Sequence, residues 1–207
     1  MLKWIWAAGL LAAGLAPPQA AGEVLINLEW RPAAQTAVVG GEVDIGLYAV
    51  CDQGESQLFR AADVVFTWSP TYLHLIGLSQ TGAVPLLSSV FPAHDPYGLN
   101  EVVPPQDGDG YYRAFANLGS PVTVTDVGSL LTTFRFTALT MTPLTIVDIA
   151  DSGGSPPPYV LDTRVLGGSE AGTVVTGTLG SAGIEIVPEP ATFVLMFSAM
   201  VIVCWRR

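Results

Sequence analysis

The strongest constraint on this chain is a hydrophobic period of two, which recurs between glycine and proline breaks across residues 23–187 in place of the 3.6 of a helix. Residues 128–139 show it most clearly. Leu130, Phe134, Phe136 and Ala138 fall on one face, and Thr133, Arg135 and Thr137 on the other. In residues 24–30 the apolar face is Ile26, Leu28 and Trp30. In 42–51 it is Val43, Ile45, Leu47, Ala49 and Cys51, set against Asp44, Gly46 and Tyr48. Residues 62–68 place Val64, Phe66 and Trp68 inward and Asp63 and Thr67 outward, until Ser69-Pro70 turns the chain into 72–78, with Leu73 and Leu75 on one face. Further strands are predicted at 111–117, 144–150, 160–165, 173–179 and 184–187. Residues 82–110, with Pro85, Pro92, Pro96, Pro104 and Pro105, form a long excursion. About nine or ten short strands with Gly/Pro turns and no convincing helix predict an all-β fold, an antiparallel β-sandwich.

Two apolar ends stand apart from this pattern. Met1-Leu2-Lys3 is a basic start, Trp4 to Leu15 is apolar, and Ala20-Ala21-Gly22 supplies small residues, so residues 1–22 have the form of a secretory signal peptide. Residues 187–207 read in three parts: Pro188-Glu189-Pro190, an uncharged run from Phe193 to Trp205, and Arg206-Arg207. The prolines exclude helix from the spacer. A helix over 191–205 is only about 22 Å long at ~1.5 Å per residue. That is short of the ~30 Å hydrocarbon core, a gap that snorkelling arginines and an interfacial tryptophan can narrow.

The Pro188-Glu189-Pro190 spacer, short apolar segment and terminal arginines together resemble the PEP-CTERM sorting signal of Gram-negative bacteria. That resemblance implies processing by an exosortase. A precursor held transiently in the inner membrane would become a protein of the cell surface or the exopolysaccharide matrix. Between the ends, residues 23–186 form one domain, large enough for a sizeable core. Of the chain's eight basic residues, removal of Lys3, Arg206 and Arg207 leaves five arginines. Of its eighteen acids, removal of Glu189 leaves seventeen, for a net charge near −12. Such a surface repels phosphate backbones and argues against nucleic-acid binding. Cys51 is the domain's one cysteine, so no disulfide forms within it, and its place on the apolar side predicts a buried, inert thiol.

Three segments, in order, are similar to the cohesin pattern: Val39-Gly40-Gly41-Glu42-Val43-Asp44-Ile45, residues 61–77 with their Ser69-Pro70 turn, and residues 128–138, which read Gly-Ser-Leu-Leu-Thr-Thr-Phe-Arg-Phe-Thr-Ala. The resemblance implies a jelly-roll of the cohesin and carbohydrate-binding-module type. It also implies a dockerin-like partner met through one sheet face, with no contact residues carried over.

The chemistry legible in the residues is sparse. Asp107-Gly108-Asp109-Gly110 resembles the opening of a calcium loop, with Asp107 and Asp109 as candidate ligands. However, Tyr111 and Leu118 stand where an EF-hand needs oxygen ligands, and Asp-Gly before a strand also reads as a turn. Tyr97, Tyr111, Tyr112 and Tyr159, in or beside loops, are candidates for stacking on sugars, although consecutive Tyr111 and Tyr112 must point to opposite faces. His74 and His94 have no neighbour at metal-ligand spacing, and His74 is expected to face solvent. There is no G-x-S-x-G elbow, H-E-x-x-H or phosphate loop, and no lysine in the domain. The expectation is a non-enzymatic structural or protein-interaction module without a cofactor. Two alternatives stay open: a carbohydrate-binding module holding matrix polysaccharide, and a calcium-dependent adhesin.

Overall fold

A computed structural model describes residues 23–89, 108–117, 120–153, 161–168, 170 and 172–189. The expectations for residues 1–22 and 191–207 lie outside them. The elements are β1 (Ile26–Arg31), β2 (Ala34–Val38), β3 (Glu42–Val50), β4 (Ser56–Thr67), β5 (Leu73–Ser79), β6 (Leu86–Ser89), β7 (Asp109–Ala116), β8 (Val122–Thr125), β9 (Ser129–Ala138), β10 (Thr142–Ala150), β11 (Ser152–Gly153), β12 (Leu161–Asp162), β13 (Arg164–Gly167), β14 (Thr173–Val174), β15 (Thr176–Leu179) and β16 (Ser181–Val187). They build a sandwich of two sheets. One has five strands in the order β15-β1-β3-β9-β5. The other has nine, with β14-β13-β4-β10-β16-β2 as its path and β6, β7 and β8 attached through β4 and β7. A small ribbon, β11–β12, stands beside them.

The expected period of two is what makes the sandwich. Ile26, Leu28 and Trp30 are buried on β1, and so are Val43, Ile45, Leu47 and Ala49 on β3 and Val64 and Phe66 on β4. Successive residues of a strand point to opposite faces, so each strand gives one apolar row to the space between the sheets. The centre of that space is aromatic. Phe134 lies 4.7 Å from Phe66, 5.5 Å from Trp30 and 5.5 Å from Tyr112, centroid to centroid, and Trp68 sits 5.6 Å from both Phe66 and Phe136. Trp30 and Phe134 meet edge-to-face at 84°, a geometry that matches the positive ring edge to the negative ring face. These rings come from β1 and β9 in one sheet and from β4, its Trp68 extension and β7 in the other, so they join the two layers.

Three features depart from the sequence expectation. First, the pairing is not wholly antiparallel: β1 runs parallel to β15, and β2 parallel to β16. The cause is that both chain ends change sheets, β1 to β2 at one end and β15 to β16 at the other, and run side by side as they do so. Gly180 is the crossing point, donating its N–H to Leu28 O in one sheet while its own C=O accepts from Ile149 N in the other. A Cβ there would come within 3.1 Å of Leu28 O. Second, Leu130 does not face in. The register of β3 on β9 slips between Leu47↔Thr132 and Tyr48↔Leu130, a bulge that puts Leu131 in the core and leaves Leu130 beside Gly46 and Tyr48 on the outer face. Third, the described residues alone hold sixteen strand segments, not nine or ten. The runs at 160–165 and 173–179 each divide where the chain passes from one sheet to another, β12 to β13 and β14 to β15, and β2, β6 and β8 are too short or too weakly alternating to register in the sequence.

Truncating Phe134 removes the ring that touches three of the other aromatics, so Phe134→Ala should destabilise the fold by about 3–5 kcal/mol. Equilibrium urea unfolding would measure this, with a drop in midpoint and an unchanged slope as the expected outcome.

Candidate functional site: the outer face of the nine-stranded sheet

The two outer faces of the sandwich differ chemically. On the five-stranded sheet, Asp44, Arg135 and Glu42 form a solvated charge cluster. Arg135 Nε lies 2.8 Å from Asp44 and 3.4 Å from Glu42, while the Arg31 guanidinium lies 4.8 Å from the Tyr48 ring centre and 3.1 Å from Glu29. His74, on β5, is half-buried opposite Thr137.

The outer face of the nine-stranded sheet is built in cross-strand rows around β4. The register aligns Asp148, Thr67 and Asp109, then Ala150, Val65 and Tyr111, then Arg164, Asp63 and Arg113, and last Leu166, Ala61, Phe115 and Leu87. The last row is apolar and open, with Phe115 47% and Leu87 63% exposed. Residues directly opposite on neighbouring strands are in side-chain contact range, so each row acts as a unit.

The charged row centres on Asp63. Its Oδ1 accepts from Tyr111 Oη at 2.6 Å and from Arg113 Nε at 2.7 Å, and its Oδ2 accepts from Arg164 at 3.3 Å. The Arg113 guanidinium also lies 5.1 Å from the Tyr111 ring centre and 6.0 Å from that of Phe115. Burial pushes the Tyr111 hydroxyl well above its ordinary pKa of 10.0, and its hydrogen bond to the Asp63 carboxylate pushes it further. Burial pulls the Arg113 guanidinium down, but the hydrogen bond and charge of Asp63 outweigh that and leave it raised.

The candidate sugar-stacking residues separate sharply. Tyr112 is fully buried between the sheets, its hydroxyl donating to Leu131 O, and Tyr111 is only 4% exposed, packed with Val65, Ala150 and Leu161. They do point to opposite faces, yet neither offers a ring to a ligand, because β10 and β12 cover the outer one. Tyr97 and Tyr159 lie outside the described residues, as does Asp107. Asp109 is half-buried at the start of β7, paired with Thr67.

The two glycines around Asp109 serve packing. A Cβ on Gly108 would meet Trp68 O at 2.5 Å, and its φ of +93° suits glycine. A Cβ on Gly110 would meet the Phe66 ring at 2.5 Å. Among the described residues, no group of three or more His, Cys, Asp or Glu is placed to hold a metal ion. Cys51 is buried as expected. Burial raises its thiol pKa, and the carboxylates of Asp52, Glu55 and Asp126 add to the shift against a lowering backbone hydrogen bond at Gln57. Of the sorting-signal residues, Pro188 and Glu189 end the described chain, whereas Pro190, Arg206 and Arg207 lie outside it. No helix among the described residues is long and apolar enough to cross a membrane.

The chain matches a cohesin module from the family 33 glycoside hydrolase of Clostridium perfringens with a TM-score of 0.55 at 14% identity, covering 80% of this chain and 99% of that one. The sandwich has a cohesin-like fold. A chain of the CaDoc0917–CaCohA2 complex matches with a TM-score of 0.52 at 9% identity, covering 78% of this chain and 99% of that one. No family model and no curated protein matches the chain. At these identities the likeness fixes the cohesin-like architecture and leaves the residues of the face to be read from their own chemistry. The period of two puts Asp63 outward but carries no sign of its arginine partners, which lie 50 and 101 residues further along the chain.

The Tyr111 shift has a defined sign. A raised folded-state pKa gives stability that is fully present below the ordinary value of 10.0 and is lost as pH climbs above it. Urea unfolding between about pH 8 and 11 should therefore show stability falling at the alkaline end, and Tyr111→Phe should flatten that fall while costing about 1 kcal/mol at neutral pH.

Proposed function

We propose that this protein is a non-catalytic protein-interaction module of the cohesin type. Its docking surface would be the outer face of the nine-stranded sheet, and its partner a dockerin-like module on another protein. The observation that carries this reading is the asymmetry of the two faces. One is mainly a solvated array of ion pairs, with the exposed Ile76 isolated on its edge strand, while the other sets a continuous open apolar row, Phe115 and Leu87, against an ordered row of charge. Exposed apolar side chains rimmed by fixed polar groups are the ordinary makeup of a binding surface. The CaDoc0917–CaCohA2 match supports the partner class, since that structure pairs two such modules.

On the same reading, the flanking segments deliver the module. Residues 1–22 would direct export. Pro188-Glu189-Pro190 with the apolar run and Arg206-Arg207 would hold the precursor in the inner membrane of a Gram-negative cell until an exosortase releases it to the surface or the exopolysaccharide matrix. Support for this lies in the order of the three features in the sequence.

The test is capture from the culture medium on the immobilised chain, with three substitutions at exposed positions. Phe115→Glu and Leu87→Glu should each abolish retention of the same partner protein, while Ile76→Glu, on the five-stranded sheet, should leave it intact. Loss only with Ile76→Glu would place the docking surface on the other sheet. Intact mass of the surface-released protein should show both flanking segments gone; a full-length mass would contradict the delivery route.

A further inference from the structure

The row Arg164–Asp63–Arg113 does more than brace the sheet. Asp63 is only 14% exposed and both its oxygens are engaged, whereas Arg113 is 38% and Arg164 52% exposed. One shielded carboxylate thus faces two guanidiniums that still reach solvent, and the row carries a local excess of one positive charge. Arg60, at the β4 bulge one residue from Ala61, adds a third arginine beside the face, and its Nε is buried without a hydrogen-bond partner. Two of the domain's five arginines therefore share one row, with a third three residues along the central strand, in a body whose net charge is near −12.

Asp109 and Asp148 lie too far along the strands to cancel this spot. Asp109 is four residues along β7 from Arg113, roughly 13 Å at ~3.3 Å per residue. That exceeds the ~8 Å screening length at physiological salt. Asp148 shares the row of Asp109. Asp162, which pairs with Ser152 in the ribbon, is two residues from Arg164, about 7 Å along the chain, so it tempers the Arg164 end of the row and leaves the Arg113 end positive. Immediately next to the positive row is the open apolar one, with Phe115 two residues from Arg113 on the same strand face.

We infer that this face selects a protein partner whose docking segment places a carboxylate next to a large apolar side chain, the carboxylate seated between Arg113 and Arg164 and the apolar group against Phe115 and Leu87. Arginine suits such a seat, because its planar fork binds a carboxylate in two-pronged fashion and it is weakly hydrated. Charge at this position would set partner choice and association rate, and the apolar row would hold the complex. The inference rests on the face proposed above and adds the chemistry of what it accepts.

A random linear peptide library displayed on phage, selected on the full-length chain in mild detergent, supplies the probe. Selected peptides should be enriched in Asp or Glu adjacent to Leu, Ile or Phe. Binding of a synthesised winner should weaken about tenfold with Arg164→Glu, and comparably between low and high salt, as expected for a charge-assisted contact. Arg164 is the exposed member of the row, and Arg164→Gln, with the melting temperature as control, separates charge loss from misfolding. Enrichment of basic or neutral peptides, no enrichment over the input library, or binding indifferent to Arg164→Glu overturns the inference. If such a peptide is still lost with Phe115→Glu, the face stands and only its charge preference is wrong. If it survives Phe115→Glu as well, the face itself is wrong.

Discussion

Two sheets with no disulfide between them are held by what their inner faces share, and here that is a cluster of rings. Phe134 touches Phe66, Trp30 and Tyr112, and Trp68 bridges Phe66 and Phe136. Large aromatic side chains bury more surface than aliphatic ones and lose little rotamer freedom in doing so. The indole N–H of Trp30 is buried there without a hydrogen-bond acceptor among the described residues, a cost that its edge-on contacts with Phe66 and Phe134 offset in part. The rest of the molecule adjusts to these rings. Gly110 lacks a side chain because Phe66 occupies the space, and Gly108 lets the start of β7 lie against the backbone of Trp68. What looks in the sequence like the opening of an ion-binding loop is explained, at its glycines, by the room those aromatics require.

The same clamp frees the outer faces from structural duty and lets them diverge. With β4 fixed from below by Phe66 and Val64, its outward residues Asp63, Val65 and Ala61 stand at defined heights, and strands from either side complete their rows. A charged row can then be assembled from residues distant in the chain. Its geometry depends on three strands, each anchored in the core, and not on a loop. Rigid presentation of this kind lowers the ordering cost of association. The terminal strands contribute by closing the sandwich along one side, where β1 with β15 and β2 with β16 run in parallel and Gly180 serves both sheets.

How much of this was legible in the sequence depends on what a period of two can carry. It reports which side of a strand a residue occupies, and Ile26, Leu28, Val64 and Phe136 were all placed correctly by it. It does not report what lies above that side. Tyr111 stands in the sequence as a loop-edge ring open to ligands, yet it is buried because Val65, Ala150 and Leu161 converge on it from other strands. Nor does alternation survive an extra residue, so Leu130 and Leu131 exchanged roles at a bulge that no local signal announced. Strands such as Ala34–Val38 leave no mark in the pattern because AQTAV has almost no contrast between its faces. The arginine partners of Asp63 were invisible for a simpler reason: sheet register sets cross-strand neighbours, and register is a property of the whole fold.

On the proposed reading, the apolar and charged rows of the nine-stranded sheet form the surface by which this protein meets another. Hydrogen–deuterium exchange of the captured complex, compared with the free protein, addresses it most directly. Added protection should concentrate in β4, β6, β7 and β13, with β3 and β5 unchanged. Protection confined to β3, β5 and the exposed side of β9 would contradict it.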